Sequence, residues 1–223
     1  MSESIQEVIR RAEEILQTAW HGYEDLVGNN KGRRFTGLRN LIVFGRSVSF
    51  VIQNLRTPVG DKRFDTWYEK KQGEMKSDPI MKYFVSVRNE ILKEGKLGIS
   101  TAAHIHHFSS EVMRKLGTPP PGANSFFIGD QFGGSGWEIE MPDGATEKYY
   151  VELPASVAEV KQQFIDLPVP EDDELKSKSV EELSKYYLEK VELLLDDARS
   201  EFLGEPAKKL AGKRLPPYIK VIK

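Results

Sequence analysis

The stretch IMKYFVSVRNEILKEGKLGISTAAHI, residues 80–105, decides the fold. In its first part Ile80, Tyr83, Phe84, Val87 and Ile91 recur at helical spacing and share one face. Asp78-Pro79 opens this helix, because proline suits a first helical position where its missing N–H would be unpaired anyway. Gly95 closes it. Past Gly95 the period drops to two: Leu97, Ile99, Thr101, Ala103 and Ile105 alternate with other residues, as in a strand with one face turned inward. A helical region therefore gives way to a sheet here.

Toward the N-terminus the helical texture continues. Residues 4–27 carry Ile5, Val8, Ile9, Ala12, Ile15, Leu16, Ala19, Tyr23, Leu26 and Val27 on one stripe, with Ser4 and Glu7 at capping-box spacing. Gly28–Gly32 stops this helix. A second helix runs over 36–55 with Leu38, Leu41, Ile42, Val48, Val51, Ile52 and Leu55 on its core face, and Pro58 and Gly60 end it. Phe64, Trp67 and Tyr68 form a local aromatic cluster within 61–76, read as a short helical turn.

Toward the C-terminus the spacing predicts three more short strands, at 125–128, 136–140 and 147–152. Pro142-Asp143-Gly144 is a tight-turn signal between the last two, and short connections of this kind imply antiparallel pairing. Residues 97–153 thus read as one β-meander. Ser156 and Glu159, again at capping-box spacing, predict a short helix to about Phe164. An acidic linker with Pro168 and Pro170 follows, and Ser179 with Glu182 opens a last helix to about Leu203. The expected fold is α+β: an antiparallel helical bundle over 1–96 and 154–203, a β-meander inserted at 97–153, and a basic C-terminal tail at 204–223. The tail's Tyr218–Ile222 alternates well enough to add to a sheet edge.

The 223 residues allow one large domain or one domain with an insertion. A net charge of −2 excludes a globally basic nucleic-acid coat but leaves local patches open. The absence of cysteine excludes disulfides, thiolate metal sites and thiol catalysis, and fits a reducing cytoplasm. No apolar run of about 18–20 residues and no signal-peptide core are evident. A soluble cytoplasmic protein without a membrane partner is therefore expected, and nothing in the chain calls for a cofactor.

Four groups of residues carry candidate chemistry. Arg88 and Asn89 place a fixed cation and an amide near the end of a buried helix, and arginine's planar fork suits phosphate oxygens. Arg39 and Arg46, seven residues apart on the second helix, share a face and extend this to a basic groove; the competing role is salt bridging to Glu13, Glu14, Glu24 and Asp25. The run Gly129-Asp-Gln-Phe-Gly-Gly-Ser-Gly-Trp137 is glycine-rich, but it lacks the Gly-Lys-Ser/Thr of a P-loop and leads into a strand. It reads as a wide hairpin with Trp137 as an anchor, while Asp130 and Gln131 could line a pocket. Finally, His104 and His106 share one strand face and could hold a metal, with Asp130 or Glu138 as third ligand; the alternative is a polar sheet surface.

Arg88-Asn89-x-x-x-Lys93 on a long-helix bundle resembles the Arg-Asn-x-x-x-His motif of the HEPN superfamily. Its members include metal-independent endoribonucleases of toxin–antitoxin, antiphage and CRISPR systems, together with non-catalytic proteins. In active members the arginine and histidine sit at a dimer cleft and assist attack of a ribose 2′-hydroxyl on the adjacent phosphate. The resemblance implies a homodimer with Arg88, Asn89 and Lys93 at such a cleft. Lysine replaces the histidine here, and with an ordinary pKa of about 10.4 against about 6.5 it does not exchange protons near neutrality. The expected function is accordingly a HEPN-like binding or regulatory protein for RNA or nucleotide phosphates. A metal-independent endoribonuclease with a non-standard site is the alternative, and a metal-dependent hydrolase built on the histidines is the second.

Overall fold

A computed structural model of the protein describes residues 4–206. It is a mixed helix and sheet protein with two antiparallel sheets, so the α+β class holds. The basic tail, including Tyr218–Ile222, lies outside the described residues from 207 onward. The chain divides into two compact units: a helical one from 4–27, 36–97 and 181–206, and a sheet-bearing one from 28–35 and 98–180.

In the helical unit, α1 (Ile5–Val27) buries Val8, Ile9, Ala12, Leu16, Ala19 and Leu26, most of the stripe its spacing predicts, while Val27 at its end is exposed, and the Ser4 hydroxyl accepts the Glu7 N–H at 3.2 Å. Most of α2 (Arg34–Ile52) belongs to this unit and buries Leu38, Leu41, Ile42, Val48 and Ile52. After the single turn α3 (Arg56–Val59) comes α4 (Asp61–Ser77), a full 17-residue helix where only a turn was expected. Its composition is polar, and two buried rings, Phe64 and Tyr68, hold it by stacking 5.2 Å apart. In α5 (Pro79–Glu94) the Asp78 carboxylate accepts the Ile80 and Met81 N–H groups, Pro79 sits in the first turn, and Gly95 caps the end at φ 68°. The last helix, α7 (Val180–Leu203), packs on α1, α2, α4 and α5. Tyr187 stacks on Phe84 of α5 at 4.3 Å, Phe202 meets Trp67 of α4 at 5.1 Å, and the wholly buried Arg199 bonds Glu13 of α1.

One sequence expectation about membranes changes. The stretch Lys31–Val59 is long and apolar enough to cross a bilayer by length and composition. Leu38, Leu41, Ile42, Val48, Ile52 and Leu55 in it are buried, while Phe44 and Phe50 are exposed.

The sheet-bearing unit corrects the single meander expected over 97–153. Three strands, β2 (Ala123–Ile128), β3 (Ser135–Glu140) and β4 (Thr146–Val151), form that meander, closed at Asp143-Gly144 as predicted. The strand before them, β1 (Ile99–Ile105), does not join it. It pairs antiparallel with β5 (Ala158–Phe164) as a separate sheet, Ile99 opposite Phe164 and Ile105 opposite Ala158. A short helix, α6 (Ser110–Lys115), lies between β1 and β2. The capping-box reading of Ser156 and Glu159 therefore fails: 158–164 is a strand, not a helix, and Ala158, Gln162 and Phe164 are its buried positions at period two. The buried polar side chain of Gln162 accepts from Arg34 Nε at 2.6 Å and donates to Thr101 and to the Gln131 carbonyl.

Candidate functional site

Arg46 on α2 and Arg88 on α5 converge on one aromatic ring in the helical unit. Their guanidinium carbons lie 4.7 Å and 5.7 Å from the centre of the Phe50 ring, both within cation–π range. The helices run antiparallel here, since Arg39 of α2 reaches the Gly95 carbonyl at the end of α5 while Phe50 lies near Arg88. Neither Arg46 nor Arg88 has a carboxylate within ion-pair distance among the described residues. Arg46 donates to Ser49 Oγ at 2.5 Å and Arg88 to Asn89 Oδ1 at 3.1 Å, and Arg88 Nε is buried with no acceptor. Salt bridging to the acids of α1, the competing role for this basic face, is not what holds these two.

Beside Arg46 opens a cleft of about 360 Å³ between α2, α4, α5 and α7. Lys76 and Lys82 share its wall with Arg46, and among the described residues no aspartate or glutamate lines it. Tyr68 and Tyr187 border it as well. Burial pushes both phenols above their ordinary pKa, against Arg46, which favours the ionised form of each; Arg88 acts on Tyr187 in the same sense. The two cations thus act on a common locus. Opposed to a buried phenol and with their donors only partly used, they are suited to a phosphate, whose oxygens take several N–H groups at once.

The other predicted residues separate from this locus. Asn89 orients Arg88. Lys93 is exposed on α5, five residues beyond the half-buried Arg88. Arg39 donates to the Gly95 carbonyl at the end of α5 at 3.4 Å.

In the sheet-bearing unit Asp130 is occupied structurally. Its carboxylate accepts from the Phe132 and Gly134 N–H groups, Lys148 and the Tyr150 hydroxyl. Desolvation raises its pKa, but these donors outweigh burial and leave it lowered. The N–H groups of Gly129, Asp130, Phe132, Gly133 and Gly134 are all spent within the same loop, which leaves none of them to cradle a phosphate. The Gln131 side chain is exposed and its carbonyl serves Gln162. Trp137 packs edge-on against Phe126 at 4.9 Å, within the meander. His104 and His106 are exposed and meet edge-on at 4.6 Å, with Glu159 of β5 at 4.0 Å from His106. Asp130 and Glu138 are not on the strand that pairs with them, and no group of three or more metal-ligating side chains is present among the described residues.

Phe50, Tyr187, Lys76 and Lys82 were missed from sequence. Phe50 carried a signal, being an apolar residue off the core face of α2; it is 44% exposed.

The family model of bacteriophage lambda protein ea47 matches residues 4–173, three quarters of the chain. The chain belongs to the bacteriophage lambda protein ea47 family. No curated protein and no solved structure matches it. The ea47 match holds Arg46, Phe50 and Arg88 together with Lys76 and Lys82, and it ends before α7, which supplies Tyr187.

Proposed function

We propose that this protein is a HEPN-like binding module that holds RNA or nucleotide phosphates on Arg46 and Arg88 and does not cleave them. One observation carries the reading: two guanidinium groups meet at an exposed aromatic ring, free of carboxylate partners, beside a cleft lined by further cations. The ring offers a base a stacking face and the guanidiniums offer its phosphate donors. Lysine at position 93, where the motif has histidine, supports binding over catalysis, since an ordinary lysine does not exchange protons near neutrality. The homodimer belongs to the same proposal and is checked by light scattering at micromolar concentration.

Labelled single-stranded RNA tests the reading, with anisotropy for binding and a denaturing gel for integrity, with and without chelator. The expected result is binding of intact RNA, weakened about tenfold or more in Arg46→Ala and in Arg88→Ala, as for loss of a hydrogen bond to a charged group. Chelator-resistant cleavage lost in Arg88→Ala would replace the binding module by a ribonuclease. Absence of binding would overturn the reading.

A further inference from the structure

Packed helices ordinarily fill the space between them, yet α2, α4, α5 and α7 leave the cleft of about 360 Å³ beside Arg46. That volume sits at the lower end of the range for small-molecule sites, about 300–1,000 Å³. Its chemistry is divided. Met75, Met81 and Val85 supply apolar surface, and thioethers in particular lie well against flat rings. Arg46 and Lys82 supply positive charge, and no carboxylate answers them. The Tyr68 hydroxyl is engaged by the Ser49 carbonyl at 3.4 Å and by the Gln53 side chain, and Gln72 and Ser86 add polar groups to the wall.

A ligand that satisfies this lining is flat and largely apolar, has polar edge atoms, and ends in an anion. We infer that the cleft takes one ribonucleoside monophosphate unit, free or as the terminal nucleotide of a strand. Its base lies against Met75, Met81 and Val85, and its phosphate is held by Arg46 and Lys82. The inference rests on the phosphate-binding reading above through Arg46 and adds a second seat beside the Phe50 ring, since neither Phe50 nor Arg88 lines the cleft. A fatty acyl anion would match the charge but leave Gln72 and Ser86 without polar edge atoms to bond. A phosphate alone would leave the apolar lining empty.

Calorimetric titration of the full chain with the four ribonucleoside monophosphates, their nucleosides and ribose 5-phosphate decides it. The expected result is binding of at least one monophosphate with a Kd below about 1 mM, with its nucleoside and ribose 5-phosphate each about tenfold weaker or more. The bound monophosphate should compete with labelled RNA. Ser86→Glu sets a carboxylate at an exposed position of the cleft wall, and Val85→Trp fills the floor; each should weaken the monophosphate about tenfold. Circular dichroism confirms folding, and where Val85→Trp does not fold, Ser86→Glu alone decides. Unchanged affinity in Ser86→Glu, or RNA binding with no monophosphate binding at millimolar concentration, overturns the cleft assignment and leaves the phosphate-binding reading in place. Failure of both RNA and monophosphates to bind overturns both.

Discussion

Gly22 of α1 and Gly37 of α2 face each other where the two helices cross. A Cβ on Gly22 would lie 2.6 Å from the Gly37 carbonyl oxygen, and one on Gly37 would lie 2.5 Å from the Gly22 oxygen. Both neighbours are backbone and cannot turn aside. Replacing glycine by alanine inside an exposed helix ordinarily stabilises by about 0.5–1 kcal/mol. Here the sign reverses: Gly22→Ala or Gly37→Ala should cost about 1–3 kcal/mol, as overpacking does. Gly73→Ala, in α4 with open space around its Cβ position, should follow the ordinary rule. Urea unfolding of the three variants checks it. Equal responses at Gly37 and Gly73 would show that the crossing is looser than described.

Arg199 is fully buried and bonds Glu13 and Asp196. Removing one partner of a buried ion pair leaves the other charge uncompensated, so Arg199→Ala should cost about 3–5 kcal/mol. Arg199→Met together with Glu13→Gln should recover part of that loss. Thermal unfolding of both measures it, and a single variant as stable as the wild type would contradict the assignment.

Asp130 ties the 129–135 loop to β4. Its pKa in the folded chain is lowered, so its contribution is present above the ordinary aspartate value of about 3.9 and is lost as pH falls through the folded value. Asp130→Asn keeps an acceptor for the Phe132 and Gly134 N–H groups but cannot accept from both Lys148 and Tyr150. Hydrogen exchange in β2–β4 should show a loss of about 1–3 kcal/mol at pH 7 and a shallower further loss in acid than in the wild type. Parallel acid profiles for the two proteins would exclude Asp130 as the source.

The long helices and the β2–β3–β4 meander were legible because local periodicity, capping residues and the Asp143-Gly144 turn agreed. The strand β5 was not. Its inward positions Ala158, Gln162 and Phe164 include a polar side chain whose burial depends on Arg34, over a hundred residues away, while Ser156 and Glu159 offered a false cap. α4 was underread because stacking of Phe64 and Tyr68, not an apolar stripe, holds it. At the site, Arg46 and Arg88 were legible as cations. Their meeting at Phe50 depends on how α2 crosses α5, which neither segment encodes by itself.

The salt dependence of RNA binding tests the central claim most directly. Log K for a single strand falls with log salt by about 0.7 for each phosphate neutralised. If Arg46 and Arg88 each hold one phosphate, either alanine variant should lower the slope's magnitude by about 0.7, and the double variant by about 1.4. An unchanged slope and affinity in the double variant would contradict the account.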